Sequence, residues 1–398
     1  MISVSEAEQI ILNQRISLKS IQLDLNDCIN HMLDEDIFAD RDFPPFDRVT
    51  MDGIALSYSH WSAGQRKFAI SGVHTAGSDS VTLNDDSHCL EVMTGAILPV
   101  GTDTVVRYED IEIQDGWATI VTDAVKGQNI HRMGTDRKQG DLLIKKDTLI
   151  TPAEIGVLAT VGKSVVRVKA LPKIAIISTG DELIDVQNKP LPHQIRKSNV
   201  LSLKASLQEF NISAGLFHSN DDLEGTIRSL ESIISEHDVV LLSGGVSKGK
   251  ADYVPEALEQ LGIKKLFHRI KQRPGKPFWF GTGPDQKIVF AFPGNPVSTF
   301  LCYYRYFIPW LQKTLGQPTT TNYAALWNDF LVKPNLTYFL QVKIISDPKT
   351  AQLIALPMEG HGSGDHANLL DSDAFIELPE ERSEFKKGEV FRIIKFKE

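Results

Sequence analysis

The fold is decided by the stretch KIAIISTGDE, residues 173–182, in which a run of apolar residues ends in a glycine-containing turn and two acidic residues. Near-continuous apolar character, repeated in VVLL at 239–242, is typical of strands that are covered on both faces. Between these strands, apolar residues such as Leu203 and Leu207 recur at helical spacing. Such alternation over residues 173–315 predicts parallel βαβ units, and hence a three-layer α/β domain.

Glycine-containing turns follow three of the predicted strands, after Ile177, Leu242 and Phe292. Because ligands of an open α/β sheet bind outside the carboxyl ends of its strands, these turns should lie together at one edge. Glycine lets backbone N–H groups approach an anion, and the helix that follows adds a partial positive charge, which predicts a site for a phosphate-bearing ligand. Any one turn alone could merely lead a strand into a helix. The turn residues expected to bind are Thr179, Gly180, Asp181, Ser243, Gly244, Gly245, Ser247, Pro293, Gly294, Asn295 and Ser298.

A basic turn, Arg273–Pro277, lies between two short predicted strands, and Lys271 precedes it. Pro274 and Gly275 are expected to join the ligand-binding residues, and the prolines stiffen the loop. Lys271 and Lys276 then remain as point charges that can hold phosphate or another oxyanion. The alternative is a solvated hairpin tip.

Acidic side chains supply the opposite charge near the same edge. Glu182, Asp221 or Asp222, and Asp252 all follow predicted strand ends. A hard cation with oxygen ligands could bridge such carboxylates to a phosphate, and magnesium is the leading candidate. For a single acidic residue a helix N-cap is the alternative, and Asp221 and Asp222 precede a predicted helix. The grouping favours a metal site with Glu182, Asp221 and Asp252 as ligands.

The rest of the chain shows different secondary-structure patterns. Ser5–Glu8 has the spacing of a helix-capping box, so a helix should begin there. Residues 43–136 consist of short β-prone runs broken by glycine, aspartate and asparagine, which predicts a small β-rich domain. After residue 316 the pattern returns to short strands, which predicts a small barrel or sandwich.

Length and composition set further bounds. At 398 residues the chain exceeds one ordinary core, so about two to four domains are expected. The formal charge of −9 disfavours nucleic acid and anionic membranes as partners, because both need a basic face. No apolar run approaches the roughly 18 residues of a membrane span. Three cysteines without paired spacing argue against disulfides and a thiolate zinc site, so a cytoplasmic protein is expected.

Taken together, several segments resemble the molybdopterin molybdenumtransferases, the MoeA type that also forms the C-terminal part of gephyrin. The segments that carry the resemblance are Met51–Gly53, Met93–Ala96, Gly134–Asp136, Thr179–Glu182, Ser243–Ser247, Ala251–Tyr253, Pro274–Pro277 and Pro293–Ser298. Each motif is short, but their number and order over about the first 310 residues make the resemblance specific.

The resemblance implies a multidomain α/β subunit with four parts. These are an extended N-terminal linker domain (1–42 and 137–172), a β-rich second domain (43–136), a three-layer α/β molybdopterin-binding domain (173–316) and a C-terminal small β-barrel (317–398). It also implies a homodimer with the active site at the subunit interface, where Asp52 and Thr94 act in trans. Transient contact with molybdopterin adenylyltransferase, the enzyme of the preceding step, is expected as well.

The reaction implied by the resemblance takes molybdopterin-AMP and molybdate, inserts molybdenum at the dithiolene and releases AMP, with Mg²⁺ present. Carried onto this sequence, the catalytic residues are Asp52, Thr94, Asp136, Glu182, Asp252, Lys271 and Lys276. Ser363, in the retained Gly362–Gly364 turn, would face the cleft and join the substrate-binding residues. Neutralisation of developing charge suffices for cleaving a phosphoanhydride, so no Ser-His or Cys-His pair is required.

Two positions depart from the family pattern. Lys197 stands where an acidic residue is usual, which affects one polar contact to the ligand, and Thr337 stands about where an arginine is often found. Two other functions remain open. One is molybdopterin adenylyltransferase, usually a lone α/β domain with a different glycine turn, and the other is a non-catalytic dimeric scaffold. The acidic and basic site residues argue against a loss of catalysis.

Overall fold

The computed structural model describes residues 1–220, 222–246, 252–333 and 335–397. The chain forms two compact units, which we name the α/β–barrel unit and the β-rich unit. The α/β–barrel unit comprises Met1–Leu23, Cys28–Asp34 and Arg167–Glu398. The β-rich unit comprises Asp24–Asp27 and Glu35–Val166. No helix among the described residues is both long and apolar enough to cross a bilayer.

The α/β–barrel unit is built on a six-stranded sheet. In spatial order its strands are Gly215–Ser219, Ile174–Thr179, Val239–Ser243, Ile288–Phe292, Trp279–Thr282 and Lys264–His268. The first four run parallel to one another, and the last two are antiparallel to their neighbours. The predicted parallel βαβ core is therefore confirmed, and an antiparallel edge is added to it.

Helices cover both faces of this sheet. Along the strand Ile174–Thr179, Ile174 and Ile176 belong to one core, whereas Ala175 and Ile177 belong to a core on the opposite face. The helices on the first face are Val4–Leu12, Asn199–Gln208, Pro296–Cys302 and Ile308–Thr314, the last two joined by a π-helical turn at Tyr303–Phe307. The helices on the second face are Leu223–Glu236 and Val254–Gln260. Burial from both sides explains why the strands carry no polar alternation.

The first helix begins earlier than predicted. Its N-cap is Ser3, whose hydroxyl accepts from the Glu6 amide while the Glu6 carboxylate accepts from the Ser3 amide. The helix therefore spans Val4–Leu12, and the prediction of a capping box starting at Ser5 is wrong. Both serines have a glutamate three residues later, but Glu8 is paired with arginines from elsewhere in the same unit.

Five strands at the C-terminus close into a small barrel. In ring order they are Thr337–Ser346, Leu353–Pro357, Asn322–Leu326, Val390–Lys395 and Ala374–Leu378. The ring closes because Thr337–Ser346 pairs with both Leu353–Pro357 and Ala374–Leu378. Leu340, Val342 and Ile376 are buried in its core. Of the two predicted architectures, the barrel is confirmed.

A short strand from the α/β domain joins the barrel sheet. Gln272–Arg273 pairs in parallel with the beginning of Thr337–Ser346. The basic turn that follows this strand is thereby fixed against the barrel, rather than standing as a solvated hairpin tip.

A buried arginine also links the barrel to the α/β domain. Arg305 is 1% exposed, and its Nε lies 2.9 Å from Glu377 Oε2 on a barrel strand. Its Nη2 donates a hydrogen bond to Glu8 Oε2. Its Nη1 lies 2.8 Å from Glu8 Oε1 and forms an ion pair there without the geometry of a hydrogen bond. Arg392 also contacts Glu8, at 3.0 Å. Opposite charges on both sides compensate the cost of burying the guanidinium.

The β-rich unit contains a six-stranded sheet of its own. Its strands in order are Thr104–Arg107, Gly53–Leu56, Cys89–Val92, Lys67–His74, Trp117–Ile120 and Ile111–Gln114. Every residue of Gly53–Leu56 is buried, because Ile54 and Leu56 pack in one core and Ala55 in another. The predicted β-rich domain is confirmed.

Short elements complete the chain. The remaining helices are Tyr58–Ser62, Pro152–Thr160 and Asn368–Asp371, with 3-10 turns at Leu25–Asp27, Tyr108–Asp110 and Pro284–Gln286. The remaining strands are Ser20–Asp24, Ile37–Phe38, Arg48–Val49, Ile130–His131, Leu142–Ile144, Val165–Lys169, Leu183–Ile184, Ile195–Arg196, Phe330–Leu331 and Glu384–Phe385.

Candidate active site

The three glycine-containing turns of the α/β domain lie together, as expected for the carboxyl ends of parallel strands. The Gly244 amide donates to the Phe292 carbonyl at 3.1 Å, which joins the second turn to the third. The Asn199 side-chain amide donates to Ser243 Oγ at 2.9 Å and to the Gly294 carbonyl at 2.8 Å. Asn199 begins the helix Asn199–Gln208, so this helix is tied to both turns.

The turns enclose a cavity of about 530 Å³, which we name the rim cavity. Ten of the predicted site residues line it: Thr179, Gly180, Glu182, Ser243, Gly244, Gly245, Asp252, Pro293, Gly294 and Asn295. The two carboxylates among them, Glu182 and Asp252, are separated by 70 positions in the sequence. The cavity therefore brings the glycine-containing turns together with two acidic side chains, Glu182 and Asp252, and two basic ones, Arg196 and Lys197.

Two glycines are required by close contacts inside the rim cavity. Gly180 has φ +128°, and a Cβ there would lie 2.5 Å from Glu182 Oε2, so the carboxylate occupies the space that the glycine leaves. Gly244 has φ +105°, and a Cβ there would lie 2.7 Å from Thr179 Oγ1 and 3.0 Å from the Thr179 carbonyl oxygen. The backbone conformation therefore disfavours a side chain at both positions, and at Gly244 the contact with the Thr179 carbonyl oxygen adds a steric cost.

The backbone amides do not all serve as anion donors. The N–H groups of Gly180 and Gly244 are used by the carbonyls of Ser219 and Phe292. The Thr179 hydroxyl, by contrast, is buried and has no hydrogen-bond partner among the described residues. A buried hydroxyl without a partner costs free energy, and a ligand oxygen or a water would satisfy it.

A second cavity of about 1190 Å³ lies between the basic turn and the barrel, and we name it the barrel cavity. It shares Pro277, Pro293 and Asn295 with the rim cavity, so the two adjoin. Seven of the predicted site residues line it: Pro274, Gly275, Lys276, Pro293, Asn295, Ser298 and Ser363. Ser363 is held there because its hydroxyl accepts from the Asn295 amide side chain at 2.8 Å.

A buried glutamine supports the basic turn. Gln272 is fully buried, and its Nε2 donates to the Pro274 carbonyl at 3.0 Å. The Tyr306 hydroxyl in turn donates to Gln272 Oε1 at 2.5 Å. Arg273 lies over the Tyr338 ring at 5.7 Å, which brings its charge to the wall of the barrel cavity.

Some predicted residues are not brought to these cavities. Lys271 Nζ lies 3.9 Å from Glu380 Oε1, and neither Lys271 nor Asp181 lines either cavity. Thr337 is also absent from both walls; it is buried, and its amide donates to the Lys271 carbonyl at 3.0 Å. Asp221 and Ser247 lie outside the described residues.

The side chains present can be compared with the needs of a magnesium ion. Within the described residues, no group of three or more His, Cys, Asp or Glu side chains is close enough to hold a metal. Glu182 and Asp252 nevertheless line one cavity. Mg²⁺ is usually held by one or two carboxylates together with substrate phosphates and water, so this pair fits a metal that arrives with its ligand.

The β-rich unit carries three predicted site residues. The Thr94 amide and hydroxyl both donate to Asp52 Oδ1, at 2.6 and 2.7 Å. These two bonds, the amide bond first, lower the pKa of Asp52. Asp136 Oδ1 lies 2.9 Å from Nε2 of His131. Asp52 is therefore an exposed, ionised carboxylate held in one orientation by its neighbour.

Several lining residues were missed from the sequence. Asn199, Arg196 and Ser198 line the rim cavity, and Tyr338 and Gln341 line the barrel cavity. They follow no glycine motif and carry no charge pattern. The one available signal was the position of Asn199 at the beginning of a helix after a short strand, which is also a common place for a helix cap.

Fold and site together define a multidomain α/β protein with a glycine-lined cleft at the carboxyl ends of its parallel strands, next to a cavity that the basic turn shares with a barrel. Family profiles match three consecutive parts of the chain. Residues 2–162 match the MoeA N-terminal region (domain I and II), residues 175–313 a probable molybdopterin binding domain, and residues 323–396 the MoeA C-terminal region (domain IV).

Whole-chain comparisons agree. The molybdopterin molybdenumtransferase of Synechocystis is 39% identical over 395 residues, which is 98% of this chain and 99% of the relative. That of Staphylococcus epidermidis is 32% identical, covering 99% and 95%. A solved structure of the molybdopterin biosynthesis MoeA protein from Pyrococcus horikoshii superposes with a TM-score of 0.85 at 28% identity, covering 100% of both chains. The chain belongs to the molybdopterin molybdenumtransferase (MoeA) family.

Proposed function

We propose that this protein is a transferase that inserts molybdenum from molybdate into adenylylated molybdopterin and releases AMP, in the last step of molybdenum cofactor biosynthesis. The observation that carries the proposal is the adjoining pair of cavities. One is lined by Glu182, Asp252 and the glycine turns, the other by the basic turn. Two anionic substrates need two such sites side by side. The match of relatives over nearly the whole chain favours this function over a lone-domain adenylyltransferase or a scaffold.

We assign the phosphoanhydride of molybdopterin-AMP to the rim cavity. The Thr179 hydroxyl, which has no partner among the residues that the structure describes, would bond a phosphate oxygen there. Molybdate, a tetrahedral dianion, is assigned to the part of the barrel cavity next to the basic turn, where Lys276 and Arg273 offer two positive charges and Ser363 a hydroxyl. The carboxylates of the same cavity, Asp329 and Glu359, lie on the barrel. Opposite charge and hydrogen-bond donors stabilise an oxyanion best where water is partly excluded.

Charge neutralisation is the main catalytic requirement. Lys276 would stabilise negative charge on the molybdate oxygens in the barrel cavity. Asn199 would hold the two turns at a fixed separation through its bonds to Ser243 and Gly294. Magnesium, held by Glu182 and Asp252 with Asp221 as the third predicted ligand, would supply Lewis-acid polarisation of the phosphate. No covalent nucleophile of the protein is needed.

The assembly follows from the same proposal. The subunit would consist of domains at 1–42 with 137–172, 43–136, 173–316 and 317–398, and two subunits would form a homodimer. Asp52, Thr94 and Asp136 of one subunit would complete the cleft of the other. Lys271 would contribute from the segment before the basic turn. The protein would work in the cytoplasm and receive its substrate in transient contact with molybdopterin adenylyltransferase.

Release of AMP from molybdopterin-AMP in the presence of molybdate and Mg²⁺ tests the function directly. Glu182→Ala and Asp252→Asn should each lower the rate by about 10²-fold or more, because each removes a charge from the reacting centre. Glu231→Ala, an exposed glutamate on the helix Leu223–Glu236, is the matched control and should keep the rate. Chelation with EDTA should abolish release, and added Mg²⁺ should restore it.

Three results would reject parts of this assignment. Undiminished AMP release by the Glu182 and Asp252 variants would reject the site. Release that is insensitive to EDTA would reject the metal. Consumption of ATP with molybdopterin in place of molybdopterin-AMP would favour the adenylyltransferase alternative.

A further inference from the structure

A third cavity, of about 240 Å³, lies at the edge of the parallel sheet. We name it the edge cavity; Ser178, Lys197, Leu201, Leu216, Phe217 and His218 are among its walls. It shares Ser178, Lys197 and Val200 with the rim cavity. A ligand whose charged part occupies the rim cavity can therefore extend into the edge cavity without leaving the protein surface.

Exposed apolar side chains surround the edge cavity. Val186, Leu201 and Leu216 line it and are 47%, 39% and 38% exposed. Leu216 belongs to Gly215–Ser219, the outermost strand of the sheet, which has no neighbour on its other side within the described sheet. Large apolar groups gathered at a concave site are typical of ligand-binding pockets, because covering them with a flat apolar surface removes both surfaces from water.

The polar side chains of the edge cavity are Ser178, Asp185, Gln187, Lys197 and His218. Ser178 and His218 are register partners on neighbouring parallel strands, and Ser178 Oγ lies 2.9 Å from His218 Nδ1. Partial burial and the nearby Lys197 lower the pKa of His218, so its ring is neutral. The bond to Ser178 uses Nδ1 of His218, and the ring lies in the wall of the edge cavity. A neutral ring bonded at Nδ1 presents one donor or acceptor at Nε2.

Lys197 stands where the two cavities meet. Its Nζ lies 3.0 Å from Asp185 Oδ1, and its side chain lines both walls. A cation at this junction suits a ligand whose phosphate lies on one side and whose uncharged ring lies on the other.

We propose that the edge cavity binds a planar nitrogen heterocycle whose attached phosphate occupies the rim cavity. This rests on the proposed function, because molybdopterin-AMP carries two such heterocycles, adenine and the pterin. The apolar walls contact the faces of the ring, and His218 Nε2 hydrogen-bonds a nitrogen on its edge. Lys197 contacts the phosphate that joins the ring to the rim cavity.

Calorimetric titrations of the full-length protein with AMP, ribose 5-phosphate and 6-hydroxymethylpterin test the proposal. AMP and ribose 5-phosphate share a phosphate but only AMP has the heterocycle. Leu216→Ser and His218→Ala should each weaken binding of one heterocycle by about tenfold, since each removes one apolar or polar contact to the ring. Binding of ribose 5-phosphate should stay unchanged in both. Leu191→Ser, 57% exposed and outside this cavity's wall, is the matched control.

The outcomes are distinguishable. Weakened AMP binding assigns adenine to the cavity, and weakened 6-hydroxymethylpterin binding assigns the pterin. If both Leu216→Ser and His218→Ala bind all three probes as the unmodified protein does, the proposal is overturned. It is also overturned if the variants alter only the mass of the oligomer, because the cavity is then covered by another chain. The two substitutions could weaken AMP binding in a protein that does not release AMP from molybdopterin-AMP. That result would reject the proposed function and support the assignment of the edge cavity.

Discussion

Replacing Gly244 by alanine tests whether the rim cavity depends on the close packing of its turns. The added Cβ would lie 2.7 Å from Thr179 Oγ1 and 3.0 Å from the Thr179 carbonyl oxygen. A carbonyl oxygen on a buried strand cannot move away as the end of a flexible side chain can. The turn must therefore shift, and the cavity that it borders must change shape.

The magnitude has two parts, which a matched variant separates. Gly244 has φ +105°, a conformation that costs an L residue about 1–2 kcal/mol. The steric contact adds about 1–3 kcal/mol, as overpacking of a rigid site does. Gly64 has nearly the same backbone angle, φ +106°, but no atom within 4 Å of its added Cβ. Gly64→Ala should thus show the conformational cost alone, and Gly244→Ala both costs.

Hydrogen–deuterium exchange measures the local effect of each variant. Gly244→Ala should speed exchange at the buried strand Val239–Ser243 and lower the rate of AMP release by at least about tenfold, since a small displacement at a site disturbs alignment strongly. Gly64→Ala should alter exchange only near its own loop and keep the rate. Thr179→Ala added to Gly244→Ala should recover part of the stability, because it removes the nearer of the two contacts. Equal behaviour of the two glycine variants would refute the packing argument.

Three other perturbations have defined outcomes. Glu8→Gln should destabilise the protein by about 1–3 kcal/mol at pH 7 in urea titrations, since a charged hydrogen bond to buried Arg305 is lost. Partial burial raises the pKa of Glu8, but Arg305 lowers it further, so the pKa lies below its usual 4.5. The stability difference between the variant and the unmodified protein should therefore shrink as the pH falls below 4.5. Gln272→Leu should lower the free energy of unfolding by about 1–3 kcal/mol in the same assay, because the buried Tyr306 hydroxyl loses its partner. It should also raise the concentration of molybdate needed for half-maximal AMP release, because the basic turn loses the hydrogen bond to the Pro274 carbonyl. Thr94→Val should raise the pKa of Asp52 in carbon-detected NMR while keeping it below the usual value, since the stronger amide bond remains; an unchanged pKa would contradict the assigned bonds.

The parts of the fold that could be predicted are those written in local sequence. Uninterrupted apolar runs such as Ile174–Ile177 need cover on both faces wherever they lie, so the α/β sheet was predictable. The turns at Gly180, Gly244 and Gly294 were predictable as a group, because each follows a strand of one predicted parallel sheet and the carboxyl ends of such strands meet at one edge. The position of the capping box was not predictable, since Ser3 and Ser5 each have a glutamate three residues later. Glu8, the partner of Ser5, is paired with arginines from distant segments, so the box forms at Ser3.

The composition of the site was predictable only in part. Glu182 and Asp252 were found because they follow strand ends, and both line the rim cavity. Asn199 and Gln272 were not found, because an amide side chain has no pattern of its own and gains importance only through partners distant in the chain. Lys271 looked equivalent to Lys276 in sequence, but the pairing of the next two residues with a barrel strand leaves only Lys276 at a cavity wall.

The sequence by itself determined which segments become strands, where glycine must stand and which charges follow the strand ends. Tertiary structure decided which of these groups share a cavity. Asn295 and Ser363 are 68 residues apart and meet through a side-chain hydrogen bond, and Ser178 and His218 meet only because their strands are neighbours. The physical reason is that strand and turn formation depend on steric and apolar patterns within a few residues, whereas a binding site depends on long-range pairing that buries partners from separate segments.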